Sequence, residues 1–185
     1  MITKNARDAV VSYGYSEQIE LRLSDGLDNF NDNEVEEIAV AGMGGLLISE
    51  FINRTHWLKN ENIHLILQPM THVEELRKTL FDNGFIIDKE VVAKDGDKLY
   101  IILSVYHYSD QTAYTDLDLI VGKLPYNNDD LSKEYLNKIF EKYNKKNLDM
   151  LQEINSIDKE AIKRITTIVQ SLKRFVRLDE KRIIS

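Results

Sequence analysis

The spacing of apolar side chains changes several times along the first hundred residues. Residues 3–13 (TKNARDAVVSY) read as a helix that closes at Gly14, a residue suited to a helix C-cap. Ile19-Glu20-Leu21-Arg22-Leu23 then alternates apolar and charged positions, which predicts a strand with one buried face, and Ser24-Asp25-Gly26 makes a turn. Glu37–Ala41 predicts a second strand, passing through Gly42-Met43-Gly44-Gly45 into an apolar helix from Leu46 to Ile52. A third strand, His64–Gln68, stops at Pro69, which has no N–H to give to a ladder. Thr71-His72-Val73-Glu74 has capping-box spacing and predicts a helix over Glu74–Asn83 that ends at Gly84. Residues 85–93 and 98–107 predict two strands joined across Lys94-Asp95-Gly96-Asp97, where Asp-Gly is a strong hairpin signal.

Strands alternating with helices imply an α/β fold with a mostly parallel sheet and helices on both faces. The closing antiparallel hairpin makes that sheet mixed. Beyond Asp116-Leu117-Asp118 the texture changes to two long polar helices with a break near Asn155-Ser156. In the second, Ala161, Ile165, Ile168, Leu172 and Phe175 or Val176 repeat at coiled-coil spacing; in the first, Leu136, Ile139, Tyr143, Met150 and Ile154 form a comparable stripe. Two such helices joined by a short turn predict an antiparallel hairpin. The expected organisation is therefore a sheet-containing domain over residues 1–115 and a helical, coiled-coil hairpin over 116–185.

Composition narrows the chemistry. A chain of 185 residues, 43% hydrophobic and 30% charged, can build one sizeable core with a small appendage. It has no cysteine, which excludes disulfides, thiol nucleophiles and Cys-zinc sites. His56, His64, His72 and His107 lack ligand spacing, so no metal is expected. No apolar run could span a bilayer and the N-terminus shows no secretory pattern, so a cytoplasmic protein is expected. The net charge is −7, yet residues 156–185 hold eight Lys and Arg against four Asp and Glu. A basic tail on an acidic body can guide a polyanion to one place, although a solvated helix face would look the same.

Ligands of open α/β sheets sit beyond the carboxyl ends of the strands. Asp25-Gly26 follows the first predicted strand, and a carboxylate there can accept from the exocyclic amine of an adenine ring; Asp-Gly is also common in any turn. Ala41-Gly42-Met43-Gly44-Gly45 follows the second, where glycine lets backbone approach a ligand closely or simply lets helix and strand pack. Gln68-Pro69-Met70 ends the third and offers one amide to a base edge beside apolar surface. No Ser/His/Asp set, paired carboxylates or phosphate-binding Gly-Lys loop stands out, which points to binding and positioning rather than hydrolysis.

Taken together, Glu20–Leu27 (ELRLSDGL), Ala39–Gly45 (AVAGMGG) and Leu65–Met70 (LILQPM) resemble the tRNA (adenine22-N1)-methyltransferase family, TrmK. The resemblance continues through Glu75-Leu76-Arg77, Asn83-Gly84-Phe85 and Lys98-Leu99-Tyr100 and covers nearly the whole chain. It implies a class I, Rossmann-like fold and methyl transfer from S-adenosylmethionine to N1 of an adenine in the D-arm region of tRNA. By that resemblance Asp25 and Gly26 face the cofactor's adenine, while Ala41, Gly42, Met43 and Gly44 border the methyl group and target base. Gln68, Pro69 and Met70 would shape the same cleft, and Lys173, Arg174 and Arg177 would help the hairpin hold tRNA. N1 of a paired adenine is occupied, so the base must be displaced first. A non-catalytic RNA-binding module derived from the same fold is the alternative.

One departure stands against this. Family members begin with a strand, an acidic glycine loop for the cofactor, a helix and a second strand ending in an acidic residue. Here Met1 is followed at once by what looks like the helix after that second strand, so the loop's catalytic aspartate has no counterpart. The strands expected between Ile19–Leu23 and Glu37–Ala41 are missing. Either a five-stranded sheet closes up, or the chain needs another part; the isolated chain is expected to bind S-adenosylmethionine poorly and to be inactive.

Overall fold

The computed structural model describes residues 4–108, 113–152 and 159–177. In chain order it holds α1 (Lys4–Ser12), β1 (Glu37–Met43), α2 (Gly45–Arg54), β2 (His64–Pro69), α3 (Val73–Asp82), β3 (Phe85–Asp95) and β4 (Lys98–His107). Next come α4 (Asp116–Val121), α5 (Asp130–Gln152) and α6 (Lys159–Arg177), with single 3-10 turns at His56–Lys59 and Leu124–Tyr126. Four strands form one sheet in the order β1-β2-β4-β3. β1 and β2 are parallel, and β4 runs antiparallel to both β2 and β3, so the sheet is mixed as expected. The hairpin turns at Gly96, whose φ of 56° explains the Asp-Gly signal.

The helices cover one face of this sheet rather than two. Along β2, Leu65, Leu67 and Pro69 are buried while His64, Ile66 and Gln68 are only half-buried. The ladder registers place Ile66 level with Ser104 and Ala39, and Ile86 level with Tyr106 on that second face. Ile66, Ile86 and Ile102 belong neither to the buried core nor to the side chains packed around it. On the other face a single core joins Leu65, Leu103 and Val105 to Ile48 and Ile52 of α2, Leu76 and Leu80 of α3, Leu136 and Tyr143 of α5, and Ile165 to Leu172 of α6. α1 buries none of its residues.

Ile19–Leu23 forms no strand, and the outer edge of β1 has no partner among the described residues. Alternation supplies a face but not a neighbour, and a strand needs both. A local knot takes its place. Arg22 donates to Glu20, to Glu34 at 2.6 Å and to the Asn29 carbonyl, and lies over the Phe30 ring. The five-stranded closure therefore does not occur.

The C-terminal helices pack as an antiparallel pair, with Thr166 Oγ1 of α6 donating to Asn147 of α5 at 2.9 Å. The expected break at Asn155-Ser156 lies outside the described residues. A buried ion pair ties this pair's approach segment to the sheet. Arg77 and Glu90 are 1% and 0% exposed at their side chains. The guanidinium donates twice to Glu90, at 2.9 and 3.0 Å, and also to the carbonyls of Leu119 and Ile120 on α4. Gly122 follows with φ 55° against the Glu90 carboxylate, where a side chain has no room.

Candidate functional site

Two loops meet at the carboxyl ends of the adjacent parallel strands β1 and β2. A bulge between Ala41 and Met43 brings Met43 level with Pro69, and the Met70 amide donates to the Met43 carbonyl at 2.8 Å. The Gly42 amide donates to the Gln68 side-chain oxygen at 2.9 Å, and the Gly45 amide to the Thr71 carbonyl at 2.8 Å. Gly45 needs to be glycine, because a Cβ would stand 2.4 Å from the His72 carbonyl oxygen. Gly42 differs: its φ is 76°, and open space surrounds the position a Cβ would take. So Ala41, Gly42, Met43 and Gly44 are brought against Gln68, Pro69 and Met70, forming one interlocked rim. Ala41 and Gly42 are exposed, as is Met70.

Gln68 does not hang free. Its oxygen is used by Gly42 and its amide nitrogen contacts the Pro69 carbonyl and the Met70 sulfur, so it fixes the rim before it offers anything to a ligand. The capping box at Thr71–Glu74 does not form. The N-cap of α3 is His72, left-handed at φ 55° and without a side-chain cap bond, while Thr71 Oγ1 lies 3.0 Å from His72 Nδ1. The Thr71 carbonyl serves Gly45, and Glu74 turns to α5, accepting from the Tyr143 hydroxyl at 2.6 Å. Burial and that carboxylate push the Tyr143 phenol well above its usual pKa.

Asp25 and Gly26 are placed elsewhere. Arg54, at the far end of α2, donates to the Asp25 carbonyl at 2.8 Å, and Gly26 packs on the Phe51 ring. With about 1.5 Å of rise per residue, Arg54 lies roughly 13 Å along the helix from Gly45. The structure does not bring Asp25-Gly26 to the glycine rim. On α6, Lys173 and Arg174 are exposed, and the side chain of Arg177 lies outside the described residues.

Against α5 the rim opens into a cleft of about 500 Å³, with Met70, Thr71 and His72 on one wall and Tyr135, Lys138, Ile139 and Lys142 on the other. Sequence reasoning missed these lysines; their four-residue spacing was the available signal. It also missed a contact of serine, histidine and glutamate types: His64 lies 2.9 Å from Ser104 Oγ and 3.2 Å from Glu37. That set sits at the amino end of β2, with the imidazole stacked on Tyr106 at 4.4 Å. Among the described residues, no group of three or more His, Asp or Glu side chains could hold a metal ion.

Known proteins share this fold. The tRNA (adenine(22)-N(1))-methyltransferase of Bacillus subtilis is 29% identical over 120 residues, covering 65% of this chain and 50% of that protein. The chain spans about half the length of the curated relatives it matches. Streptococcus pneumoniae Sp1610, solved in complex with S-adenosyl-L-methionine, is 28% identical with a TM-score of 0.73, covering 94% of this chain and 75% of that one. The crystal structure of the B. subtilis m1A22 tRNA methyltransferase TrmK gives a TM-score of 0.78 at 22% identity, over 92% of this chain and 76% of that one, a likeness of fold. A model of the TrmK family, tRNA (adenine(22)-N(1))-methyltransferase, matches residues 3–176, and the chain belongs to that family.

Proposed function

We propose that the chain carries the methyl-transfer rim of an S-adenosylmethionine-dependent enzyme acting on N1 of an adenine in the D-arm region of tRNA, at position 22. The observation behind this reading is the interlocked pair of loops, Ala41–Gly45 and Gln68–His72, at the carboxyl ends of two parallel strands. The cofactor would supply an electrophilic methyl group; the residues here orient and wall it. Bare backbone at Gly42 leaves room for a close approach, and Gln68 holds that backbone still. Exposed Met70 gives a displaced adenine apolar surface to pack on. Catalysis of this kind rests on orientation more than on acid–base side chains.

The residues fit the methyl-bearing end of the cofactor and not its adenine end, because Asp25-Gly26 lies by Arg54. Weak binding by this chain follows. No helix among the described residues is long and apolar enough to cross a membrane. With tRNA as its partner, the reaction is placed in the cytoplasm on the tRNA-methylation reading.

S-adenosylhomocysteine titrated into the chain, followed by calorimetry and amide NMR, tests the reading. Saturable binding weaker than micromolar is expected, with shifts centred on Gly42–Gly45 and Gln68–Met70. Shifts confined to other loops, or none at millimolar ligand, would overturn it and favour the non-catalytic RNA module.

A further inference from the structure

We propose that the uncovered face of the sheet packs against the same face of a second copy of the chain, about a twofold axis that runs along the strands. The helices lie on the other face, so Ile66, Ile86 and Ile102 stand outside the core. Beside them Tyr106 and Val91 are 38% and 39% exposed. An apolar face this continuous marks an interaction surface.

The charges at its borders select a second copy as the occupant. Glu37 lies on this face at one outer strand, where its carboxylate reaches His64 Nδ1 at 3.2 Å and its side chain stays 72% exposed. Lys89 lies on it at the opposite outer strand. Its neighbour Glu90 is buried with Arg77 on the helical side, and strand alternation turns Lys89 the other way. Lys89 makes no ion pair among the described residues. Between the two, on β2 and β4, His64, Ile66, Ser104 and Tyr106 include no acid, lysine or arginine. The face is therefore negative at one edge and positive at the other, with an uncharged middle.

A twofold axis along the strands lays β1 of one copy over β3 of the other, which brings each Glu37 to the partner's Lys89. Glu37 shares a cross-strand row with His64, Tyr106 and Ile86, and Lys89 shares the next row with Ala39, Ile66 and Ser104. Rows on one face are about 7 Å apart and stacked sheets about 10 Å, a gap that a glutamate and a lysine bridge together. Symmetry makes both charge pairs at once, and they close around Ile66 of each copy. Four strands about 4.8 Å apart, with about 20 Å of paired length, give a footprint of roughly 400 Å² per copy, at the small end of specific interfaces. A dimer with a Kd on the order of tens of micromolar follows.

Sedimentation equilibrium from about 5 to 500 µM measures the mass of wild type and variants, and a monomer–dimer equilibrium is expected for wild type. E37K and K89E each set like charges against one another across the axis and are expected to weaken dimerisation about tenfold. E37K/K89E restores both pairs in the reverse sense and is expected to return to within about threefold of wild type. I66D puts a carboxylate in the uncharged middle and is expected to stay monomeric throughout. Circular dichroism checks folding; if I66D unfolds, the charge variants, at exposed positions, still decide. A wild-type chain that is monomeric at every concentration overturns the proposal, as does an assembly larger than a dimer. So does a dimer that a folded I66D retains, that neither charge reversal weakens, or that the double variant does not recover.

Discussion

At the residue scale, two glycines three positions apart have opposite reasons for being there. A Cβ at Gly45 would stand 2.4 Å from one backbone oxygen and 2.6 Å from another, neither of which can swing away. Gly45→Ala should therefore cost about 1–3 kcal/mol of stability in denaturant unfolding, as overpacking against fixed neighbours does. A Cβ at Gly42 meets nothing within 4 Å, and its cost is only that of a positive φ, about 1–2 kcal/mol. Gly42→Ala should stay folded yet bind S-adenosylhomocysteine more weakly than wild type, because the methyl fills the space left for a ligand. Equal binding by the two proteins would remove Gly42 from the site. The glycine cluster was readable in sequence as tight packing or as ligand approach; the structure shows tight packing at Gly45 and open space at Gly42.

The buried pair of Arg77 and Glu90 left no mark of its own in the sequence. Arg77 appears there within a helix of mixed polarity, and its burial depends on Glu90 in the following strand and on carbonyls of α4, some forty residues on. Arg77→Met should cost about 3–5 kcal/mol by leaving the Glu90 carboxylate buried without its cation. Adding Glu90→Leu should recover most of that loss, since an apolar pair of similar size removes the unpaired charge. A double variant no more stable than the single one, measured by denaturant unfolding, would contradict this account.

At the scale of elements, period and punctuation located β1, β2, both hairpin strands and the long helices. They failed where partnership decides. Ile19–Leu23 has a strand's alternation but no strand beside it. Thr71–Glu74 has a cap's spacing, yet both ends of the box are engaged elsewhere. A true capping box stands at Thr115–Asp118, where each residue caps the other. Its Thr-Asp-Leu-Asp spelling was present in the sequence, hidden by the brevity of α4.

Asp129 plays a related part for α5, accepting from the Ser132 amide at 2.8 Å and from its hydroxyl at 2.6 Å. Those bonds, the hydroxyl first, hold its carboxyl below the usual range. The stabilisation is thus complete above the ordinary aspartate pKa of about 4 and fades as pH falls through the lower folded value. Asp129→Ala should cost about 1 kcal/mol at neutral pH, and the gap to wild type should narrow in acid. A gap that stays constant down to strongly acidic pH would show that the cap acts without its charge.

At the scale of the whole molecule, the α/β class and the mixed sheet were legible, but the covering of only one face was not. Alternating strands and helices say that helices must lie on the sheet; they do not say how many exist to cover each side. The same shortage shows in the candidate site. Its rim came together because β1 and β2 are neighbours, while Asp25-Gly26 was left by Arg54 because no strand carried it to the rim. The α5 lysines were out of reach for a different reason. Only the folded arrangement sets α5 beside the carboxyl end of β2.

The half-covered sheet has a consequence for how stability is measured. A face bearing Ile66, Ile86 and Ile102 exists only in the folded chain, so any solute that settles on it withdraws folded molecules from the unfolding equilibrium. Mass action then makes the melting temperature a property of the mixture. It should climb with protein concentration whenever copies meet through that face, and with any added molecule that prefers it. A single dilute melting curve would report the lower bound of a range set by the company the chain keeps.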